Sequence, residues 1–220
     1  IESDELLRIA EACDLIVRVE RRQGQFVVAQ ETVLRAWPAE RVDGAVRDRL
    51  ANSFAIGQQR TIVQDPEFGI DQLVEIALLA LSPSLNNAFV AMMVVDRLGE
   101  ALVHLGGRAM PSPYCLDHQG RLRVFSKQLD FPKLFDAAFN QIRQNSRHHL
   151  AVTLRLLRAM RLIVEHLGDS RQLAHVRQHA QMVYTRAREA ELPDYDRHAL
   201  QTHYDALTQA LQQREADWTQ

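Results

Sequence analysis

The stretch DPEFGIDQLVEIALLALSP, residues 65–83, followed by SLNN (84–87) and AFVAMMVVDRLGEALVHLGG (88–107), decides the reading of the fold. Asp65 stands where an N-cap acceptor belongs, and Pro66 takes the first helical position, where its missing N–H is no loss. From Ile70 to Leu81 the segment is apolar nearly all round, interrupted by Asp71, Gln72 and Glu75, and Ser82-Pro83 ends it. Asn86 or Asn87 can cap the next helix. Its Phe89, Val90, Met92, Met93, Val95 and Leu98 again cover most of the circumference, and Gly106-Gly107 closes it. A helix apolar on most sides belongs inside a domain, so the spacing predicts the pair 66–81 and 88–105 at the centre.

Outward from this pair, helices dominate. Glu40 to Phe54 carries Val42, Val46, Leu50 and Phe54 as one stripe. Asp130-Phe131-Pro132 opens a helix to about Asn145, and Ser146 caps a long one ending at Gly168. Asp169 or Ser170 caps another reaching about Ala190, and a last helix runs from Asp196 to about Ala216.

Two short stretches read as β. After a helix over residues 4–13, Leu15 to Val19 shortens to strand period, Gly24 breaks it, and Phe26-Val27-Val28 and Thr32 to Trp37 resume before Pro38. Tyr114-Cys115-Leu116 and Leu122 to Phe125 flank the turn Asp117-His118-Gln119-Gly120. The segment 22–34 is similar to half of a biotinyl- or lipoyl-type barrel, but no lysine stands near its turn, so it is no cofactor carrier. Such units bury too little alone and must pair with something. The expected fold is mainly α: a compact multi-helix domain with a small N-terminal, half-barrel-like β unit and one inserted β-hairpin. The expected units are 1–38 and 39–220, the latter carrying the hairpin near 113–126.

The 220 residues, 46% hydrophobic and 25% charged with a net charge of −2, exclude a disordered chain and a protein that coats nucleic acid. Cys13 and Cys115 are too far apart for a thiolate zinc motif and suit a reducing compartment. The longest uninterrupted apolar run, Ala88 to Val95, is too short to span a bilayer. With no serine elbow, phosphate loop or dinucleotide fingerprint, no catalytic residue and no cofactor is assigned.

The run RTxxQDPxFGxxQLVxIAxxALSPxxNxxFxA, from Arg60 to Ala91, resembles the signature of a bacterial family of predicted membrane proteins, domain of unknown function 2254. The segment DLIVRVERRQGQFV (14–27) is similar to the stretch that follows that family's membrane helices. The chain departs from the family at Ser84-Leu85-Asn86-Asn87-Ala88, where a Gly-Ile-Asn-Asp-Pro-like loop is usual. The resemblance implies a C-terminal domain on the cytoplasmic side of the inner membrane, joined to N-terminal membrane helices that precede Ile1; a homo-oligomer is the expected assembly. The role expected of this domain is a non-enzymatic regulatory or assembly one, coupling ligand sensing to a membrane channel or transporter.

Three constellations are candidates for chemistry. Arg60, Gln64, Asp65, Gln72, Glu75, Ser82 and Asn86 lie beside the most apolar helices, where polar groups must be paired. Either they tie helix ends together, or they line a polar pocket with Arg60 as anion anchor. An enzyme working through Arg60, Asp65 and Glu75 and a pure oligomerisation scaffold are the alternatives. Arg147, Arg155, Arg158 and Arg161 read as a solvated face or a weaker site for anionic lipid headgroups; no aromatics interleave, so nucleic acid is not a partner. His175 and His179 have the i, i+4 spacing that lets two imidazoles share an ion. Without an HExxH pattern, and with Arg171 and Arg177 beside them, they read as a solvated face, and no metal is assigned.

Overall fold

The computed structural model describes residues 1–57, 59–62 and 65–218. In chain order the elements are α1 (Ser3–Ala12), β1 (Ile16–Val19), β2 (Leu34–Trp37), α2 (Gly44–Asn52), α3 (Pro66–Ala80), α4 (Ala88–Gly106), β3 (Tyr114–Leu116), β4 (Leu122–Ser126), α5 (Phe131–Asn145), α6 (Leu150–Val164), α7 (Ser170–Arg188) and α8 (Asp194–Asp217). The fold is mainly α with a small β unit. The chain divides into two compact units, Ile1–Phe68 with Pro111–Leu129, and Gly69–Met110 with Asp130–Gln220.

The first unit is built on one four-stranded sheet of order β2-β1-β4-β3. β1 pairs antiparallel with β2, Ile16 opposite Trp37 and Val19 opposite Leu34. It pairs parallel with β4, Val17 opposite Val124. The two β segments that look separate in sequence thus supply each other's missing strand partners, which a two-stranded ribbon needs. Phe26-Val27-Val28 forms no strand; it lies in the connection between β1 and β2, with Phe26 and Val28 exposed. In β1 the period of two sends Val17 and Val19 inward and Ile16 and Arg18 outward. The inward side chains pack with Leu6, Ile9 and Ala10 of α1, Val46 and Leu50 of α2, and Val124 of β4. The segment expected as one helix from Glu40 to Phe54 starts in a 3-10 turn, Ala39–Arg41, and becomes α-helical only after Asp43, whose carboxylate accepts from Val46 N–H.

The second unit is a helix bundle around α6, which packs against α4, α5, α7 and α8. Val152, Leu156, Leu157, Met160, Ile163 and Val164 of α6 are all buried. α4 approaches α6 closely at Gly99, where a Cβ would stand 3.2 Å from that of Ala159. Phe131, Phe135 and Phe139 recur every four residues along the buried stripe of α5, with successive ring centroids 5.7 and 5.0 Å apart. Asp130 and Asp169 cap α5 and α7 as their positions require, accepting from Lys133 N–H and Gln172 N–H. Ser146 does not cap α6. It closes α5, its hydroxyl bonding the Arg143 carbonyl, and α6 starts after His149.

The expectation that the pair α3 and α4 stands at the centre of the domain is corrected for α3. α4 buries Ala91, Val94, Val95, Leu98 and Leu102, but α3 leaves Ile76 and Leu79 exposed, and α4 exposes Phe89 and Met93 in its first turns. Apolar coverage all round a helix signals that every face meets something apolar. Within this chain, those faces meet solvent.

Candidate functional site

Arg60 and Asp65 come together in the first unit. Asp65 is buried and holds the Arg60 guanidinium, Nε at 2.8 Å and an Nη at 2.6 Å. Its other oxygen accepts from Glu67 N–H at 3.2 Å, at the start of α3. Arg60 lies over the Phe68 ring, 5.0 Å from its centroid. Arg22 pairs with Glu67 at 3.0 Å, and between the two pairs the backbone of Gly24 runs against Asp65. The buried carboxylate is thus engaged on both oxygens, as a buried charge requires.

Gln72, Glu75, Ser82 and Asn86 belong to the second unit, and Gln64 lies outside the described residues. Gln72 and Glu75 are exposed on α3. The Ser82 hydroxyl donates to the Leu79 carbonyl at 2.6 Å and meets the Ser84 hydroxyl at 3.1 Å. Asn86 takes a left-handed φ of 45° and donates its N–H to Ser82 O; Asn87 N–H reaches Ala80 O at 2.7 Å. Of the two asparagines it is Asn87 that caps α4, accepting from Val90 N–H. These bonds satisfy the end of α3 and the start of α4, and they free the loop's apolar residues to face outward. Ile76, Leu79, Leu85, Phe89 and Met93 are all exposed, Phe89 at 77% and Met93 at 67%. From Ile76 to Val95 no side chain is ionisable.

Of the four arginines expected on one face, Arg155, Arg158 and Arg161 share α6 and Arg147 does not. Arg147 lies in the turn before α6, and Arg161 pairs with Glu165 at 3.2 Å. Arg155 pairs with Asp96 at 3.2 Å and, with Arg158, lines a cleft of about 310 Å³ shared with Glu100 and His104 of α4. Acids on α4 therefore partly neutralise this face.

Two arrangements rest on partners that sequence spacing does not specify. In the first unit Arg123 is buried between Asp14, 2.7 Å from Nη1, and Asp117, 2.9 Å from Nε. Burial raises the Asp117 pKa, but hydrogen bonds from Arg121 N–H, the Arg123 and Arg121 guanidinia and Gln119 N–H outweigh it and hold the carboxyl well below the carboxylate range. Asp14 is likewise lowered, first by Arg123 and then by Arg41. Asp14 and Arg123 are 109 residues apart, so only the β1–β4 pairing could announce them.

In the second unit His175 and His179 of α7 both place Nε2 on Oδ1 of Asp136 of α5, at 2.8 and 2.7 Å. His179 is 2% exposed, which corrects the solvated-face reading. Burial first of all lowers its pKa, against the pull of Asp136, and so favours the neutral ring. The one visible signal for Asp136 is an acid set beside Phe135 in the most aromatic helix of the chain.

Comparison with known proteins supports the membrane resemblance. Uncharacterized proteins of Mycobacterium bovis (Mb1321c) and Mycobacterium tuberculosis (Rv1290c) are each 29% identical to this chain over 194 residues, covering 86% of it and 37% of their own length. The chain thus spans little more than a third of the curated relatives it matches. No solved structure matches it. Among the described residues no helix is long and apolar enough to cross a membrane. The profile of the family described as "Predicted membrane protein (DUF2254)" matches residues 1–161, nearly three quarters of the chain, and the chain belongs to that family.

Proposed function

We propose that this chain is a non-enzymatic regulatory and assembly domain on the cytoplasmic side of a bacterial inner-membrane protein, and that it docks on the membrane-embedded part through the exposed end of α3 and α4. The observation that carries this reading is the exposure of five large apolar side chains, Ile76, Leu79, Leu85, Phe89 and Met93, along a stretch of chain with no ionisable residue. Burying each such side chain is worth about 1.5–3 kcal/mol, so five of them make a strong incentive to be covered. The loop carrying Ser82 and Asn86 lies within this stretch of chain, which lets changes at the candidate polar segment reach the docked partner.

The test uses the full-length protein in inside-out membrane vesicles, with Cys13 and Cys115 replaced and single cysteines introduced as Leu79→Cys, Phe89→Cys or Gln178→Cys. A membrane-impermeant maleimide is expected to label the Gln178→Cys protein fully and the other two slowly, whereas all three label alike in the isolated chain. Equal labelling of all three in the full-length protein overturns the docking. Labelling of Gln178→Cys only after the vesicles are opened overturns the cytoplasmic placement.

A further inference from the structure

We propose that Asp136, His175 and His179 form a binding site for one divalent transition-metal ion of the zinc type, completed by water. Among the described residues these three offer ligand atoms all within 4.8 Å of one another. Two imidazoles and one carboxylate are a donor set that zinc, cobalt and nickel share, and three protein ligands leave a position open for water.

The fold holds the three groups in register. One turn of α7 separates His175 from His179, so both rings leave the same face, their centroids 4.9 Å apart. The edge contacts of Phe135 with both rings, at 5.8 and 4.9 Å between centroids, fix their planes. Exposure rises across the cluster: 2% for the His179 side chain, 20% for His175 and 42% for Asp136. The site is therefore closed by protein on one side and open to water on the other, where an ion would enter.

The two carboxylate–imidazole distances need a small adjustment. An ion bonded at about 2.0–2.1 Å to tetrahedral ligands sets neighbouring ligand atoms roughly 3.3 Å apart. The carboxylate oxygen now stands 2.8 and 2.7 Å from the two nitrogens. A side-chain rotation of the half-exposed Asp136 opens both gaps by the required half-ångström.

Hydrogen-bond accounting is neutral to the exchange. With both Nε2 atoms donating to Asp136, the buried Nδ1 of His179 has no partner. When an ion takes both Nε2 lone pairs, that same Nδ1 carries the proton and is again unpartnered, so metal binding creates no new orphan. The surrounding cations are mostly occupied. Arg177 is paired with Glu215 at 2.7 Å, and Arg171 acts on Asp130. Arg143 acts on both His179 and Asp136 and opposes the ion. Against it, the Asp136 carboxylate is a direct ligand.

The test takes the purified chain stripped with a chelator and titrates it with zinc chloride and, separately, cobalt chloride. One equivalent is expected to bind, cobalt developing the visible absorption of nitrogen and oxygen coordination. Asp136→Asn and His175→Gln are each expected to weaken zinc by roughly tenfold or more. Both positions are partly exposed, and the metal-free melting temperature of each variant shows that it folds. Zinc is expected to raise the melting temperature of the parent chain by more than that of either variant at the same concentration. The absence of saturable binding overturns the proposal. So does binding that neither variant changes, which would put the ion on surface histidines.

Discussion

Gly24 and Asp65 approach so closely that only hydrogen fits at residue 24: a Cβ there would stand 1.8 Å from Asp65 Oδ2. Gly24 also holds a φ of +77°, a region that costs other residues about 1–2 kcal/mol before any clash is counted. Asp65 cannot retreat, because it is buried and bound to Arg60 and to the start of α3. Gly24→Ala is therefore expected to destabilise the first unit by at least about 2 kcal/mol. The control is Gly44→Ala, where nothing lies within 4 Å of the new methyl and the helix gains propensity. Urea unfolding should show a lower midpoint for the first variant and an unchanged or higher one for the second. Equal midpoints would mean the 22–25 turn relaxes away from Asp65.

The Arg123 cluster predicts where the first unit fails in acid. The Asp117 carboxyl ordinarily titrates near 3.8 and is held lower in the folded chain. Between those two values the unfolded state binds more protons, so stability falls as pH falls. The contribution is complete above about pH 5 and disappears below the folded value. Asp14 acts in the same direction. Asp117→Asn should melt at a lower temperature than the parent at pH 7, because Arg123 is left buried with one carboxylate fewer. Its melting temperature should then decline less steeply between about pH 5 and pH 2. Parallel curves for parent and variant would remove Asp117 from the acid response.

Phe135 has no exposed surface and touches Phe139, His175 and His179. Phe135→Ala removes that packing and leaves a cavity between α5 and α7, at a cost of about 3–5 kcal/mol. Phe135→Leu keeps most of the volume and should cost less than half as much. Chemical denaturation monitored by helical circular dichroism separates the two. Similar losses for both would show that the aromatic edge contacts, and not the filled volume, hold the stripe.

What the sequence discloses here is local. Asp130 and Asp169 announce their helices because a cap acceptor acts within three residues, and the Asp117–Gly120 turn is legible for the same reason: Gly120 takes a φ of +75° and bonds Asp117 O. Ser146 misleads because a serine hydroxyl serves equally well on the carbonyls at the end of α5. The parallel pairing of β1 with β4 and the Asp14–Arg123 contact bridge a hundred residues, and no periodicity encodes them. Of the polar segment, the Arg60–Asp65 pair follows from charge and proximity in the chain. Asp136 does not, since the spacing of His175 and His179 leaves a partner from another helix unspecified. Periodicity reports that a face is apolar and is silent on what covers it, which is why α3 reads as central.

That silence sets the last prediction. Phe89→Ser and Met93→Ser remove large apolar groups that bury little within this chain, so each should change its unfolding free energy by no more than about 0.5 kcal/mol. Val95 and Leu98, on the opposite face of α4, are fully buried, and Leu98→Ala should cost about 2–5 kcal/mol. If the exposed face is covered in the full-length protein, the order changes there. Phe89→Ser combined with Met93→Ser should then lower the midpoint of detergent-solubilised full-length protein more than that of the isolated chain, because only the former loses a partner. Thermal melts of both proteins with the same double substitution measure the difference directly. An identical shift in the two would mean that these side chains face solvent in the whole protein as well, and the charge-free stretch from Ile76 to Val95 would then need a partner supplied from outside the polypeptide.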